Sequence, residues 1–184
     1  MSTVNFTAMV NGTREDYDLV FSHDVENGSH MAERVIGWMR SMDGDSPYHV
    51  TRLEHSLQTA TRAERDGADE ETVVCALLHD IGDVLGPHNH SQLAAALLRP
   101  YVSEKNHWVV LYHGLFQGYY WMEHYGRDKN ARDRYQDHPY YQDCIDFCAN
   151  WDQCSFDPDY PTLPLEHFIP MVERLFARKP QTFV

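Results

Sequence analysis

The sequence predicts an all-α protein, a single helical bundle with a polar centre. Apolar residues recur at helical spacing in nearly every segment. No stretch alternates apolar and polar residues as a half-buried strand does. Gly, Pro and Asp stand where helices must start or stop. A chain of 184 residues is one domain by size, and it can bury a core without disulfides.

Each element follows from its own residues. Residues 1–47 read as a helical extension. Their first twenty are polar and acidic, with no signal peptide. Within them Met31–Met42 places Val35, Ile36 and Met39 at helical spacing and ends before G44-D-S-P47. Val50–Arg65 carries Val50, Leu53, Leu57 and Ala60 on one stripe, closed by Asp66-Gly67. Asp69 caps a helix over Glu70–Asp80, and Gly86-Pro87 breaks the chain. A helix from Asn89 or Ser91 runs to Leu98 and stops at Arg99-Pro100. Val102–Tyr112 is next, then an aromatic segment from Phe116 to Tyr125. R127-D-K-N-A-R-D-R-Y135 reads as a charged loop entering a short helical turn. Asp137-His138-Pro139 opens a helix through Trp151; S155-F-D-P-D-Y-P-T-L-P164 is a proline-rich loop; Leu165–Phe176 is the last helix.

Composition narrows the partners. The net charge is -13, with three lysines among fifteen basic residues, which argues against nucleic acid. No apolar run approaches the roughly 18 residues of a membrane span. The expectation is a soluble cytoplasmic protein acting on a small molecule, as a monomer or homodimer. Cys75 sits in an apolar run, and Cys144, Cys148 and Cys154 form no CxxC pair, so all four read as reduced thiols.

The oddity is twelve histidines. His55 lies beside the Leu53 and Leu57 stripe, and His79-Asp80 ends the next apolar helix. His90 opens the helix after it, His113 follows W108-V-V-L-Y112, and Asp152 follows F147-C-A-N-W151. The gaps are 24, 1, 10, 23 and 39 residues, and a gap of 24 fits helix, turn, helix, returning antiparallel. Residues so placed can converge in a bundle, where helical proteins build metal sites. Taken singly, each has a bland reading: a core histidine, a helix C-terminal imidazole or a turn cap. The adjacent pair His79-Asp80 changes that, because a carboxylate can bridge two metals while the imidazole binds one. Four His and two Asp suffice for two metals with positions left for substrate or oxygen. His88 competes with His90, but it follows Gly-Pro in a loop. His23, His30, His49, His107, His124, His138 and His167 read as ordinary histidines.

In this order the residues resemble the HD-domain superfamily in its dinuclear form, H…HD…H…H…D. L53-E-H-S-L-Q-T-A60 and A76-L-L-H-D-I-G82 look like its characteristic segments. The likeness covers about residues 48–175 of a single HD domain spanning 1–184. It implies one metal held by His55, His79, Asp80 and Asp152, and a second held by His90 and His113, with Asp80 bridging. Most members are phosphohydrolases, and a smaller branch are mixed-valence di-iron oxygenases. V50-T-R-L-E-H-S-L-Q58 and A68-D-E-E-T-V-V-C-A-L-L-H-D80 resemble the phosphonate-cleaving oxygenases of that branch closely. The resemblance implies two iron ions as an Fe(II)/Fe(III) pair, with O2 as co-substrate. It also implies cleavage of the C–P bond of a small 1-hydroxyphosphonate. The alternative is metal-dependent hydrolysis of a nucleotide or small phosphate ester.

Departures from the aminophosphonate pattern shape the substrate expectation. Tyr48 stands on the loop before the first histidine without the family's Glu; Asp83 replaces a His after the HD pair; Gln117 replaces a phosphonate-binding Lys. These changes disfavour a dianion and favour a cation. Asp83 and Tyr120 within Y119-Y-W121 would face a quaternary ammonium, and Arg132 or Arg134 would bind the anion. The resulting expectation is (R)-1-hydroxy-2-(trimethylammonio)ethylphosphonate, converted to glycine betaine and phosphate.

Overall fold

The computed structural model describes residues 2–181, so Met1 and residues 182–184 of the expected domain lie outside the described residues. Among the described residues there are eight α-helices and no strand. They are α1 (Arg14–Ser29), α2 (Met31–Ser41), α3 (Arg52–Arg65), α4 (Glu70–Leu78), α5 (His90–Leu98), α6 (Glu104–Gln117), α7 (Tyr141–Phe147) and α8 (Leu165–Phe176). Among the described residues no helix is long and apolar enough to cross a membrane.

Four helix starts rest on side-chain caps. Thr13 and Asp16 form a reciprocal capping box at α1. Thr51 accepts from the Glu54 N–H at α3, Asp69 from Thr72 at α4, and Ser103 from Asn106 at α6. Each such cap contributes about 1 kcal/mol by satisfying an orphan donor of the first turn.

Tertiary packing decides the rest. T72-V-V-C-A-L-L78 is apolar on every side because α4 runs through the middle, against α3, α6 and α8. Val74, Leu77 and Leu78 are fully buried, so truncating Leu78 to Ala is expected to cost roughly 2–5 kcal/mol. The helix therefore carries His79-Asp80 into the interior at its C-terminal end.

Helix α3 departs from its expected stripe. Leu53 and Leu57 are only half-buried, and Val50 lies outside the helix. The buried face instead presents His55, Ser56, Gln58, Thr59, Ala60, Thr61 and Ala63. Polar residues are tolerated there because the loop after residue 153 folds back onto them with its backbone. Gln58 donates to the Asp157 carbonyl (2.7 Å) and accepts the Asp157 N–H (3.3 Å); Thr61 accepts the Leu163 N–H (3.1 Å). Arg62 donates to the Cys154 carbonyl (2.9 Å) and stacks on Tyr160. The proline-rich segment has no regular structure, yet it is tied to α3 along its length.

Two boundaries also move. Helix α6 continues five residues beyond Tyr112, so His113 and Gln117 stand on helix rather than after it. The helix expected from Asp137 starts at Tyr141, four residues late. His138 first closes two turns with its own carbonyl and ring, accepting the Tyr141 and Tyr140 N–H groups. At its far end α7 widens into a π-helical turn, Cys148–Asp152, of a kind that recurs at functional sites.

Candidate metal centre

Each histidine reaches the centre from a different element. His55 sits one turn into α3, and His79 caps the C-terminus of α4 with Asp80 next. His90 opens α5, His113 lies in α6, and Asp152 ends the π turn. The turn Ile81–Val84 packs so closely on α5 that a Cβ on Gly82 would collide with the His90 carbonyl. Glycine is required there, and the close approach sets His90 against Asp80.

The six predicted ligands converge. His55 Nε2 and His79 Nε2 are 3.2 Å apart, and Asp152 Oδ1 lies 3.3 Å and 3.6 Å from them. Asp80 Oδ2 lies 3.6 Å from His55 Nε2 and 3.5 Å from His79 Nε2. Its other oxygen, Oδ1, lies 3.1 Å from His113 Nε2 and 3.4 Å from His90 Nε2. One carboxylate thus turns one oxygen to each pair of imidazoles.

The outer nitrogens explain why the inner ones are free. His55 Nδ1 is 2.9 Å from the Ser155 carbonyl, His79 Nδ1 2.8 Å from Ala76 and His113 Nδ1 2.7 Å from Val110. A carbonyl accepts only, so each Nδ1 carries the proton and each Nε2 presents a lone pair. His90 is held more loosely, at 3.2 Å from the Pro87 carbonyl and 3.5 Å from Asp83 Oδ1. Two lone pairs facing each other across 3.2 Å repel unless a cation or proton lies between them. Asp152 Oδ2 is buried and without a hydrogen-bond partner among the described residues. This donor set fits divalent metals; His55, His79 and Asp152 form one group that could hold an ion, and His79, Asp80 and His113 another.

The electrostatics agree. Burial works to raise both carboxylates, but His79, His113 and His55 hold Asp80 well below the usual carboxylate range. Without a metal, protonated His55 and His79 would donate from Nε2 to Asp152 instead, which overcomes burial and lowers it. Burial works to lower His55 and His79, and Asp152 and Asp80 outweigh it and raise both. Asp83 behaves oppositely: burial and the Asp80 charge raise it, only partly offset by His90 and Arg52.

The centre opens into a cleft of about 700 Å³. Tyr48, Asp83, Gln117 and Tyr120 line it. Asp83 is engaged by Arg52, so it is not a free carboxylate for an ammonium. Gln117 donates from Nε2 to Asp152 Oδ1 (3.1 Å). Arg132 and Arg134 do not line the cleft: Arg132 lies over Tyr119, 4.0 Å from its ring centre, and Arg134 over Tyr135. Its arginines are Arg52 and Arg127, both missed by sequence reasoning. Phe156 was missed too; it stacks on His55 (4.4 Å between centres) and packs against Tyr48. No local pattern marks it, because the folding-back of its loop alone brings it there. His88 is exposed and lies outside the cleft.

Comparison with known proteins bears on these residues. The family model of the HD domain matches residues 52–138, so this part of the chain is similar to an HD domain. The span contains five of the six converging residues, all but Asp152. A 50-residue stretch is 52% identical to a [1-hydroxy-2-(trimethylamino)ethyl]phosphonate dioxygenase (glycine-betaine-forming) from Leisingera caerulea. That match spans 26% of this chain and 26% of the relative, so the chain aligns with about a quarter of the relative's length.

Proposed function

We propose that the protein is a dinuclear iron oxygenase that uses O2 to cleave the C–P bond of a small 1-hydroxyphosphonate. We further propose (R)-1-hydroxy-2-(trimethylammonio)ethylphosphonate as the substrate, converted to glycine betaine and phosphate. The observation that carries this is the Asp80 carboxylate, with one oxygen toward His55 and His79 and the other toward His90 and His113. It supports a bridged pair of metals, with His55, His79 and Asp152 on one side and His90 and His113 on the other. The likeness to a phosphonate dioxygenase supports oxygen chemistry over hydrolysis. Two irons held there as Fe(II)/Fe(III) would bind the substrate oxygens and react with O2.

The chain's own residues bind and orient. Arg127 has no ion-pair partner among the described residues and supplies positive charge at the cleft for a phosphonate; Arg52 is already paired with Asp83. A trimethylammonium group cannot donate a hydrogen bond, so aromatic faces suit it, each contact contributing roughly 0.5–2 kcal/mol. Tyr48 with Phe156, and Tyr120 with Trp121, offer such faces in the cleft. They take the role first expected of Asp83.

The test is to load the protein with ferrous iron without oxygen, oxidise it partly, and record electron paramagnetic resonance with and without the phosphonate. The expected result is a mixed-valence signal that the compound changes, with phosphate released only when O2 is admitted. Phosphate-ester hydrolysis without oxygen, and no coupled signal from two bound irons, would replace this reading with a phosphohydrolase.

A further inference from the structure

Six buried side-chain nitrogen or oxygen atoms lack a hydrogen-bond partner among the described residues, and four of them belong to Arg132, Gln117 and Asp152. They are Nε and Nη1 of Arg132, Oε1 of Gln117 and Oδ2 of Asp152. Gln117 is already joined to Asp152 through its Nε2. Arg132, on the turn Ala131–Tyr135, places its guanidinium 4.0 Å from the Tyr119 ring centre and 6.0 Å from that of Phe116, the residue before Gln117. The Arg132 side chain meets the Tyr141 hydroxyl, which leaves Nε and Nη1 over, and buried polar groups are nearly always paired, so these two donors and the Gln117 acceptor each call for a partner.

The charges of Arg132 and Asp152 also act on common neighbours. Burial pushes the Cys148 thiol up, Asp152 adds to this, and Arg132 opposes it. Tyr120 is raised by burial and by Cys148, with Arg132 again opposing and Asp152 adding. Both groups therefore flank Cys148 and Tyr120.

We propose that Arg132 is a positioning residue for the metal centre, acting through Gln117: its guanidinium donates, across one buried water, to Gln117 Oε1, whose Nε2 holds Asp152. The physical reason lies in the amide. Gln117 can turn either end to Asp152; nitrogen toward the carboxylate attracts, and oxygen toward it repels. A donor fixed at the far end selects the first orientation. An arginine outside the cleft thereby sets the carboxylate inside it. This rests on the reading of the centre as a metal site, though not on the choice of substrate.

The test is a double-mutant cycle read by metal affinity rather than turnover. Wild type, Arg132→Leu, Gln117→Leu and the double variant are titrated anaerobically with Co(II), followed by its visible absorption. Each single change is expected to weaken the site containing Asp152 by ~10–100-fold, the range for outer partners of metal ligands. The double variant is expected to be no weaker than either single one. Unchanged affinity in Arg132→Leu, or losses that multiply in the double variant, would overturn the inference. If Arg132→Leu fails to fold by circular dichroism, Arg132→Gln takes its place with the same outcomes. A wild type that binds Co(II) but releases no phosphate with iron and O2 removes only the oxygenase reading. A wild type that binds no metal removes the metal centre and this inference together.

Discussion

His55, His79 and Asp152 expose 5%, 0% and 3% of their side chains, whereas His90 and Asp80 on the cleft side expose 29% and 15%. The inner group is also more firmly braced. His55 and His79 each donate to a carbonyl within 2.9 Å, while His90 has a 3.2 Å contact and a distant Asp83. His113 joins the outer pair through Asp80 but is buried like the inner ones. One half of the centre is thus set by the core, and the other borders the cleft. A metal in the first half would be retained, and one in the second would exchange and meet substrate.

The change that reaches both halves should have the largest effect. Asp80→Ala is expected to strip at least one metal and abolish turnover, read by metal content per chain and phosphate release. Full activity in that variant would break the two-metal reading. Separating the halves comes next. His79→Ala should lose the inner metal and be destabilised by roughly 3–5 kcal/mol, because Asp80 and Asp152 would each lose a buried imidazole partner. His90→Ala should keep about one metal per chain and melt close to wild type. Equal metal loss in the two would erase the distinction. Chelation is a gentler probe. An excess of chelator should remove metal in two phases, the faster belonging to the outer half, and a single phase would count against it.

The smallest effect is a pH dependence of the metal-free protein. Asp83 is raised in the folded state, so its favourable contribution is present below the unfolded carboxylate pKa and is lost as pH rises through the folded one. Asp152 is lowered, so its contribution is present above the unfolded pKa and disappears as pH falls through the folded one. Asp83→Asn should therefore raise the Tm at pH 7 by about 2–4 °C, the shift that ~1 kcal/mol gives in a chain of this size. The gain should shrink toward pH 4, and a gain that grows on acidification would reverse the assignment.

Much of this architecture is legible in residues a few positions apart. The run Thr72–Leu78 announces a helix buried all round, and its end delivers His79-Asp80. Caps at Thr51, Asp69 and Ser103 are written within three residues of the groups they satisfy. The order and spacing of four histidines and two aspartates point to a bridged pair of metals. Local pattern misleads at α3, where Leu53 and Leu57 look like the buried stripe and the truly buried face is polar. Its partners come from a loop about 100 residues away, too far for any local window.

The sequence by itself determined the helices and the Asp69 cap, because periodicity and capping act over one turn of chain, and its resemblance to the HD-domain pattern marked the six side chains that meet. Only the tertiary structure decided which atoms face which. The return of residues 154–163 onto α3 brings the Ser155 carbonyl to His55 and Phe156 to the cleft. The π turn brings Asp152 within reach of Gln117, and the cleft takes Arg52 and Arg127 instead of Arg132 and Arg134. These are contacts between segments far apart in the chain, and the packing of the whole bundle selects them.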